Sequence, residues 1–265
     1  MDLVFTDLDG TLLDRETYAW EPARPALERL KRRGVPWIPV TSKTRAEVEI
    51  WRRRLGNLHP FIVENGGAAF VPSGYFGSRV PGSQTRGPYE VIEWGTPYRL
   101  LVEALDAAAR ASGCGVRGFH AMPAEEVAAL SGLPLDQAAL AKQREYDEPF
   151  VVLDPERAGA LAGTIGERGL RWTRGGRFWH ILGANDKALA VTALTGLFAR
   201  GREIPRTIGL GDGLNDASFL NVVAVPVLIR SPQIEELKTL VAHGMVTGSP
   251  GPAGWNDAIL ELVPG

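Results

Sequence analysis

Two aspartates, Asp7 and Asp9, stand in the segment Asp7-Leu8-Asp9-Gly10-Thr11 at the end of the apolar run Leu3–Leu8. Such a run fits a buried strand, and in open α/β folds ligands bind outside the carboxyl ends of strands. Both carboxylates can then face one crevice, with Gly10 permitting the tight turn and Thr11 offering a hydroxyl. A second acidic segment, Gly211-Asp212-Gly213-Leu214-Asn215-Asp216, follows a strand expected over 206–210. Carboxylates converging from two strand ends repel one another unless a cation holds them. Oxygen donors of this kind suit Mg2+, which takes one or two carboxylates with water and substrate phosphate. Thr41-Ser42, after a strand expected over Val35–Val40, offers hydroxyl and backbone N–H groups to an anion at a helix start. Lys187, near the start of a helix expected over 187–200, offers a cation to a phosphate oxygen. Each signal alone is ordinary, because Asp and Gly are common in turns and a lone Lys usually sits in solvent. Their order along the chain gives them weight.

The elements that must position them follow from the hydrophobic pattern. A helix is expected over Pro22–Arg33, stopped by Gly34, and another over Thr44–Leu55, ended by Gly56. Phe61–Val63 reads as a third strand, with a turn at Asn65-Gly66-Gly67 before Ala68–Val71. Strand, helix, strand, helix, strand is the pattern of a parallel α/β sheet. Residues 72–88, rich in Pro, Gly and Ser, break that rhythm and read as a linker. A different, α+β unit follows: a strand at Tyr89–Glu93, a helix opened by Thr96-Pro97, a strand at Val116–Phe119, short helices over 123–131 and 134–143, a strand at Phe150–Leu153 leading to a helix capped by Asp154-Pro155, and a hairpin of Leu170–Thr173 with Phe178–Leu182. Trp37 and Trp172 fall in strand patterns and are expected in the core. From Asp186 the parallel pattern returns, with strands over 206–210 and 223–229 and helices over 187–200, 215–220 and 232–243. The fold class is therefore α/β, a Rossmann-like parallel-sheet core formed by 1–81 and 185–265, interrupted by an inserted α+β cap at 82–184.

Composition narrows the function. Lys and Arg number 29 against 31 Asp and Glu, a net charge of −2, which argues against nucleic acid as a partner. The longest uncharged apolar stretch, Ala217–Ile229, contains Asn221 and Pro226 and is too short to span a membrane, which needs about 20 apolar residues. No basic region followed by an apolar run opens the chain, so a cytoplasmic protein is expected. The single cysteine, Cys114, cannot form an intrachain disulfide and reads as a packed side chain. His59, His120 and His243 have no clustered partner and are expected to be structural.

The four segments taken in order resemble the haloacid-dehalogenase (HAD) superfamily of phosphatases, over the full chain and including a large cap inserted between the second and third motifs. Thr41-Ser42-Lys43-Thr44, Glu64-Asn65-Gly66-Gly67, Leu130–Leu140, Gly176-Arg177-Phe178-Trp179-His180 and the tail Gly251–Trp255 further resemble the mannosyl-3-phosphoglycerate phosphatases. In that family Ser42-Lys43 stands where most capped HAD enzymes carry Gly after the Thr. The resemblance implies release of phosphate from mannosyl-3-phosphoglycerate to give mannosylglycerate, a compatible solute. It implies Asp7 as the nucleophile that forms an aspartyl phosphate and Asp9 as the general acid, then base. It implies Mg2+ on Asp7, Asp212 and the backbone carbonyl of Asp9. Thr41, Ser42 and Lys187 would bind phosphoryl oxygens, and Asn215 and Asp216 would orient Lys187 and the metal's waters.

Specificity then falls to the cap. The substrate carries a carboxylate, whose natural partner is a bidentate arginine; Arg144 and Arg177 are the candidates. Glu145, Asp147 or Glu148 could accept mannose hydroxyl protons, and Trp179-His180 could line a sugar pocket, with His180 as a substrate-binding candidate. Two other readings compete: a HAD phosphatase for another sugar phosphate, such as a sucrose or mannosyl phosphate, and a phospho-accepting signalling domain. The chain is about twice the length a receiver needs, and the Gly-Asp-Gly-x-Asn-Asp segment is foreign to one. A non-catalytic binding protein is a weaker reading still, since every residue the two-step chemistry needs is present. The partner expected is a small phosphorylated sugar-glycerate, and the protein is expected as a monomer or homodimer.

Overall fold

The computed structural model describes residues 1–174, 178–200 and 203–265. The chain runs β1 (Asp2–Thr6), α1 (Arg24–Arg33), β2 (Trp37–Pro39), α2 (Arg45–Leu55), β3 (Phe61–Val63), β4 (Ala68–Pro72), β5 (Gln84–Arg86) and β6 (Tyr89–Glu93). There follow α3 (Tyr98–Ser112), β7 (Val116–Gly118), α4 (Ala124–Ser131), α5 (Leu135–Ala141), β8 (Asp147–Val152), α6 (Ala158–Gly166), β9 (Arg171–Arg174) and β10 (Trp179–Leu182). The last third is α7 (Lys187–Ala199), β11 (Arg206–Gly211), α8 (Ala217–Leu220), β12 (Val225–Arg230), α9 (Ile234–Leu240), β13 (Met245–Pro250) and α10 (Gly251–Leu262).

A parallel sheet ordered β13-β12-β11-β1-β2 forms the centre. Its strands are near-continuous apolar runs because both faces are covered by helices. Val4, Leu8, Ile208 and Trp255 pack on one face, Leu3, Phe5, Val191 and Phe219 on the other, all fully or almost fully buried. β1 pairs with β11 on one side and β2 on the other, so three strands end at the same edge. The antiparallel group β3-β4-β6-β5 continues from β2 through the parallel bridge Val40–Ile62. β5 and β6 thus pair beside β4 rather than with the inserted unit. We propose that the insertion begins near residue 95 rather than 82.

The inserted unit is an antiparallel sheet, β7-β8-β10-β9. α3 and α6 cover one face through Leu101, Leu105, Leu161 and Ile165 against Phe150 and Ile181. On the other face Phe119, Met122, Val127 and Ala138 form a smaller cluster. Strand alternation assigns Phe150 and Ile181 to the first face, and Asp147, Pro149 and His180 to the second.

Local expectations fail in four places. Trp172, expected in the core, is 42% exposed, because it lies on the edge strand β9. Thr96 does not cap α3; Pro97 holds that position without a side-chain bond. Thr41-Ser42 precede rather than open α2, whose cap is Thr44, in a reciprocal box with Glu47. Asp154 makes no cap bond either; its carboxylate accepts the Gly115 N–H at 2.6 Å.

Candidate active site

Parallel pairing brings the two acidic segments together. Asp7 leaves the end of β1 with its N–H donating to the Leu210 carbonyl of β11 at 2.9 Å, and Asp212 stands just past the end of β11. Gly10 has a φ of +79°, and a Cβ there would lie 2.5 Å from Asp212 Oδ2. Only glycine allows both the backbone and the approach. The Thr11 hydroxyl donates to Asp212 Oδ1 at 3.1 Å, and Arg15 Nη2 reaches Asp212 Oδ2 at 2.5 Å. Asp216 folds back on its own loop, accepting the N–H groups of Asp212 and Gly213 at 3.0 and 2.9 Å.

Lys187 opens α7 behind the Asp186 cap and is buried. Its Nζ donates to Asp7 Oδ1 at 2.9 Å and to Asp216 Oδ1 at 2.6 Å. Burial works against its charge, and the two aspartates more than restore it, so its pKa is raised. Burial and then Asp216 push the Asp7 carboxyl well above its usual range, against the pull of Lys187. The same two causes lift Asp212 to about 6, opposed by Arg15.

Asp7, Asp212 and Asp216 each bring a carboxylate oxygen within 4.8 Å of the others'. Raised carboxylate pKa values at a buried oxygen cluster mark uncompensated negative charge, which a hard divalent cation would relieve. The residues therefore fit Mg2+. Asp216 is the least available of the three, since Lys187 and two backbone N–H groups already engage it.

Asp9 faces a different neighbour. Its Oδ2 pairs with Lys43 Nζ at 2.9 Å, while its buried Oδ1 has no hydrogen-bond partner among the described residues. Lys43 is buried between Asp9, Glu47 at 3.4 Å and the Tyr18 ring at 5.1 Å. Thr41 is buried, with its hydroxyl oxygen accepting the Lys43 N–H at 3.1 Å. Ser42 lines the crevice, and its carbonyl accepts from Arg144 Nη1 at 2.7 Å.

Arg144 thus reaches from the cap to the core, its Nε bound to the Ala141 carbonyl at 2.8 Å. Among the described residues no carboxylate lies within ion-pair distance of it, although Asp147 and Glu64 act on its charge from further off, and the half-buried guanidinium lines the crevice. His180 lines the same crevice as Asp7, Asp9, Ser42 and Arg144, and its Nδ1 lies 2.8 Å from Asp147 Oδ1. Arg177 lies outside the described residues.

No family model matches the chain. Over 98% of this chain and 97% of its own length, a glucosyl-3-phosphoglycerate/mannosyl-3-phosphoglycerate phosphatase of Methanococcoides burtonii is 43% identical. The mannosyl-3-phosphoglycerate phosphatase of Pyrococcus furiosus is 37% identical over 91% of this chain and 96% of its own. The chain belongs to the mannosyl-3-phosphoglycerate phosphatase family. It is a phosphoric monoester hydrolase. A solved HAD subclass IIB sugar phosphatase superposes with a TM-score of 0.69 over 99% of both chains at 21% identity, a likeness of fold alone.

Within this phosphatase several site neighbours escape sequence reasoning. Lys43 adjoins Thr41-Ser42 in the segment that carries the family resemblance, so its signal was present. Arg15 lies beyond the first motif and has no sequence mark. Asn65 joins the two halves: its Oδ1 accepts from Asn215 Nδ2 at 3.1 Å and its Nδ2 donates to Asp147 Oδ2 at 2.6 Å. Glu64, fully buried at the same turn, accepts the N–H groups of Glu145 at 3.0 Å and Tyr146 at 2.7 Å, and burial pushes its carboxyl up to about 8. The tail is a buttress. The fully buried Trp255 donates its Nε1–H to the Thr6 hydroxyl at 2.9 Å, and that hydroxyl donates to the Asp7 carbonyl at 2.7 Å.

Proposed function

We propose that the protein hydrolyses mannosyl-3-phosphoglycerate to mannosylglycerate and phosphate, with Asp7 as nucleophile. The observation that carries this reading is the 43% identity to a phosphatase named for that substrate class, over an alignment that spans both core and cap. The site supports it. Lys187 holds Asp7 Oδ1, and Oδ2 has no hydrogen-bond partner among the described residues. That oxygen attacks phosphorus while the glycerate oxygen leaves and takes a proton from Asp9. Asp9 then removes a proton from water, which attacks the aspartyl phosphate and frees Asp7 and inorganic phosphate.

Asp7, Asp212 and the Asp9 carbonyl would hold Mg2+, which when bound supplies charge neutralisation for the phosphoryl oxygens. Lys187 contributes positive charge at Asp7, and Asp216 fixes its ammonium. Thr41 and Ser42 present hydroxyl and backbone groups to the phosphoryl oxygens, and Asn215 steadies the Asp212 loop through Asn65. Arg144 is placed to meet the substrate carboxylate, which shares a glycerate with the phosphate and must lie near the same edge. Among the described residues no helix is long and apolar enough to cross a membrane, in keeping with a small-molecule substrate met in solution and a cytoplasmic setting.

The test is a panel of esters scored by kcat/KM: mannosyl-3-phosphoglycerate, glucosyl-3-phosphoglycerate, sucrose phosphate, mannose phosphate and an aryl phosphate. The sugar-glycerates should lead by at least about tenfold, the range a charge-assisted contact supports. A flat profile, or a lead by a phosphate lacking the carboxylate, would refute the substrate. Chelation should stop turnover and Mg2+ should restore it; full activity in excess chelator would remove the metal from the reading.

A further inference from the structure

The core and cap meet through a short line of buried polar groups. Asn215 Nδ2 donates to Asn65 Oδ1 at 3.1 Å, Asn65 Nδ2 donates to Asp147 Oδ2 at 2.6 Å, and His180 Nδ1 meets Asp147 Oδ1 at 2.8 Å. Asn65, Asp147 and His180 are all buried. The line begins on the loop that carries Asp212 and Asp216 and ends on a side chain lining the crevice over Asp7 and Asp9.

Its donors and acceptors are ordered by chemistry. An ionised carboxylate only accepts, and Asp147 is held ionised: burial opposes its charge, but His180, Arg144 and Asn65 together bring its pKa below the usual value. The Asn65 amide must therefore turn its NH2 toward Asp147 and its oxygen toward Asn215. His180 must carry its proton on Nδ1. Nε2 is the ring nitrogen left over, and it makes no hydrogen bond to any described residue. Asn65 sits at φ +54°, a conformation Asn tolerates better than most side chains, so the turn itself selects the residue.

We propose that Asn65 and Asp147 are positioning residues that fix the tautomer and direction of His180, so that its Nε2 meets an oxygen of the non-reacting part of the substrate only while the cap is seated on the Asn215 loop. This rests on the sugar-glycerate phosphatase reading above. With Nδ1–H turned to Asp147, Nε2 is the atom left to meet a substrate hydroxyl. The other charged groups facing His180 are Arg144 within the cap and Asp7, Asp9, Arg15, Lys43, Glu47 and Asp212 across the crevice. Glu148, its neighbour on β8, points to the opposite face, where it binds His120 and Tyr98. Opposite His180 on β9 stands the uncharged Thr173.

The test compares Asp147→Asn with wild type on mannosyl-3-phosphoglycerate and on an aryl phosphate. The variant keeps the shape, but its amide cannot satisfy Asn65 and the protonated Nδ1 together. KM for the sugar-glycerate should rise about tenfold to a hundredfold, several times more than for the aryl phosphate. Equal losses on both esters would overturn the proposal. Nitrogen-15 spectra of the histidine-labelled wild-type enzyme, with His180→Gln to assign the signal, give an arm that does not depend on the variant folding. Nδ1 should be protonated at neutral pH, and a His180 protonated only at Nε2 would overturn the proposal. If the wild type turns over the aryl phosphate and not the sugar-glycerate, the substrate reading fails while the spectrum still judges the relay.

Discussion

The core site and the cap face that closes over it are built on opposite plans. In the core, charge meets charge: Lys187 lies between Asp7 and Asp216, Arg15 pairs with Asp212, and Lys43 pairs with Asp9. In the cap, the half-buried cation Arg144 binds two carbonyls and makes no direct ion pair among the described residues, and the polar groups share the crevice with Phe119, Leu133 and Phe178. A charge held by opposite charges is fixed for one reaction. A half-buried cation in no direct ion pair, set beside apolar side chains, can take an anion without first breaking a salt bridge. On the proposed function, the difference separates what does the chemistry from what chooses the substrate, and it predicts two kinds of variant.

The largest effect belongs to the core. Asp7→Asn should cost about a thousandfold or more in kcat on every ester alike, because an amide is neither nucleophile nor good metal ligand. Activity within tenfold of wild type would remove Asp7 from its role. Arg144→Ala should instead divide the substrates, losing roughly 10- to 150-fold in kcat/KM on mannosyl-3-phosphoglycerate and much less on an aryl phosphate. Equal losses would dissolve the contrast between core and cap.

The seam between them should show in stability. Glu64 ordinarily releases its proton near 4.5 but holds it to about 8 when folded, chiefly because it is buried. Between those pH values the folded state binds more protons than the unfolded chain, so Glu64 makes stability fall as pH rises, by on the order of a few kcal/mol. Glu64→Gln should flatten that slope in urea unfolding measured from pH 5 to 9, and an unchanged slope would mean the carboxyl titrates normally. The smallest effect is at the buttress. Trp255→Phe keeps most of the packing and removes the Nε1–H bond to Thr6, worth about 1 kcal/mol. It should lower kcat within about tenfold on both esters in proportion, and a substrate-selective loss would place the tail with the cap instead.

How much of this was legible in sequence depends on the range of the forces involved. The strands and helices of the core follow from local periodicity, and β6 and the β9–β10 hairpin fall close to where alternation puts them. The final strand β13 and helix α10 went unread, although the tail Gly251–Trp255 stood out by resemblance. The pairing of β5 and β6 with β4 was missed because a Pro- and Gly-rich stretch looks the same whether it links domains or turns a hairpin. Trp172 was misplaced because alternation does not say whether a strand is central or at an edge.

Sequence by itself picked out the candidate site. Asp7, Asp9, Thr41, Ser42, Lys187, Asp212, Asn215 and Asp216 each lie in short segments at strand or helix ends, and their order resembles one superfamily. Only the tertiary structure decided which atoms meet. Lys43 pairs with Asp9 rather than with solvent, Arg144 crosses to the Ser42 carbonyl, and Asn65 bridges Asn215 to Asp147. Those contacts join residues far apart in the chain, and what selects them is the desolvation of buried polar groups, each of which must find a partner once water is gone. That requirement acts only in the folded molecule, so no local pattern in the sequence records it.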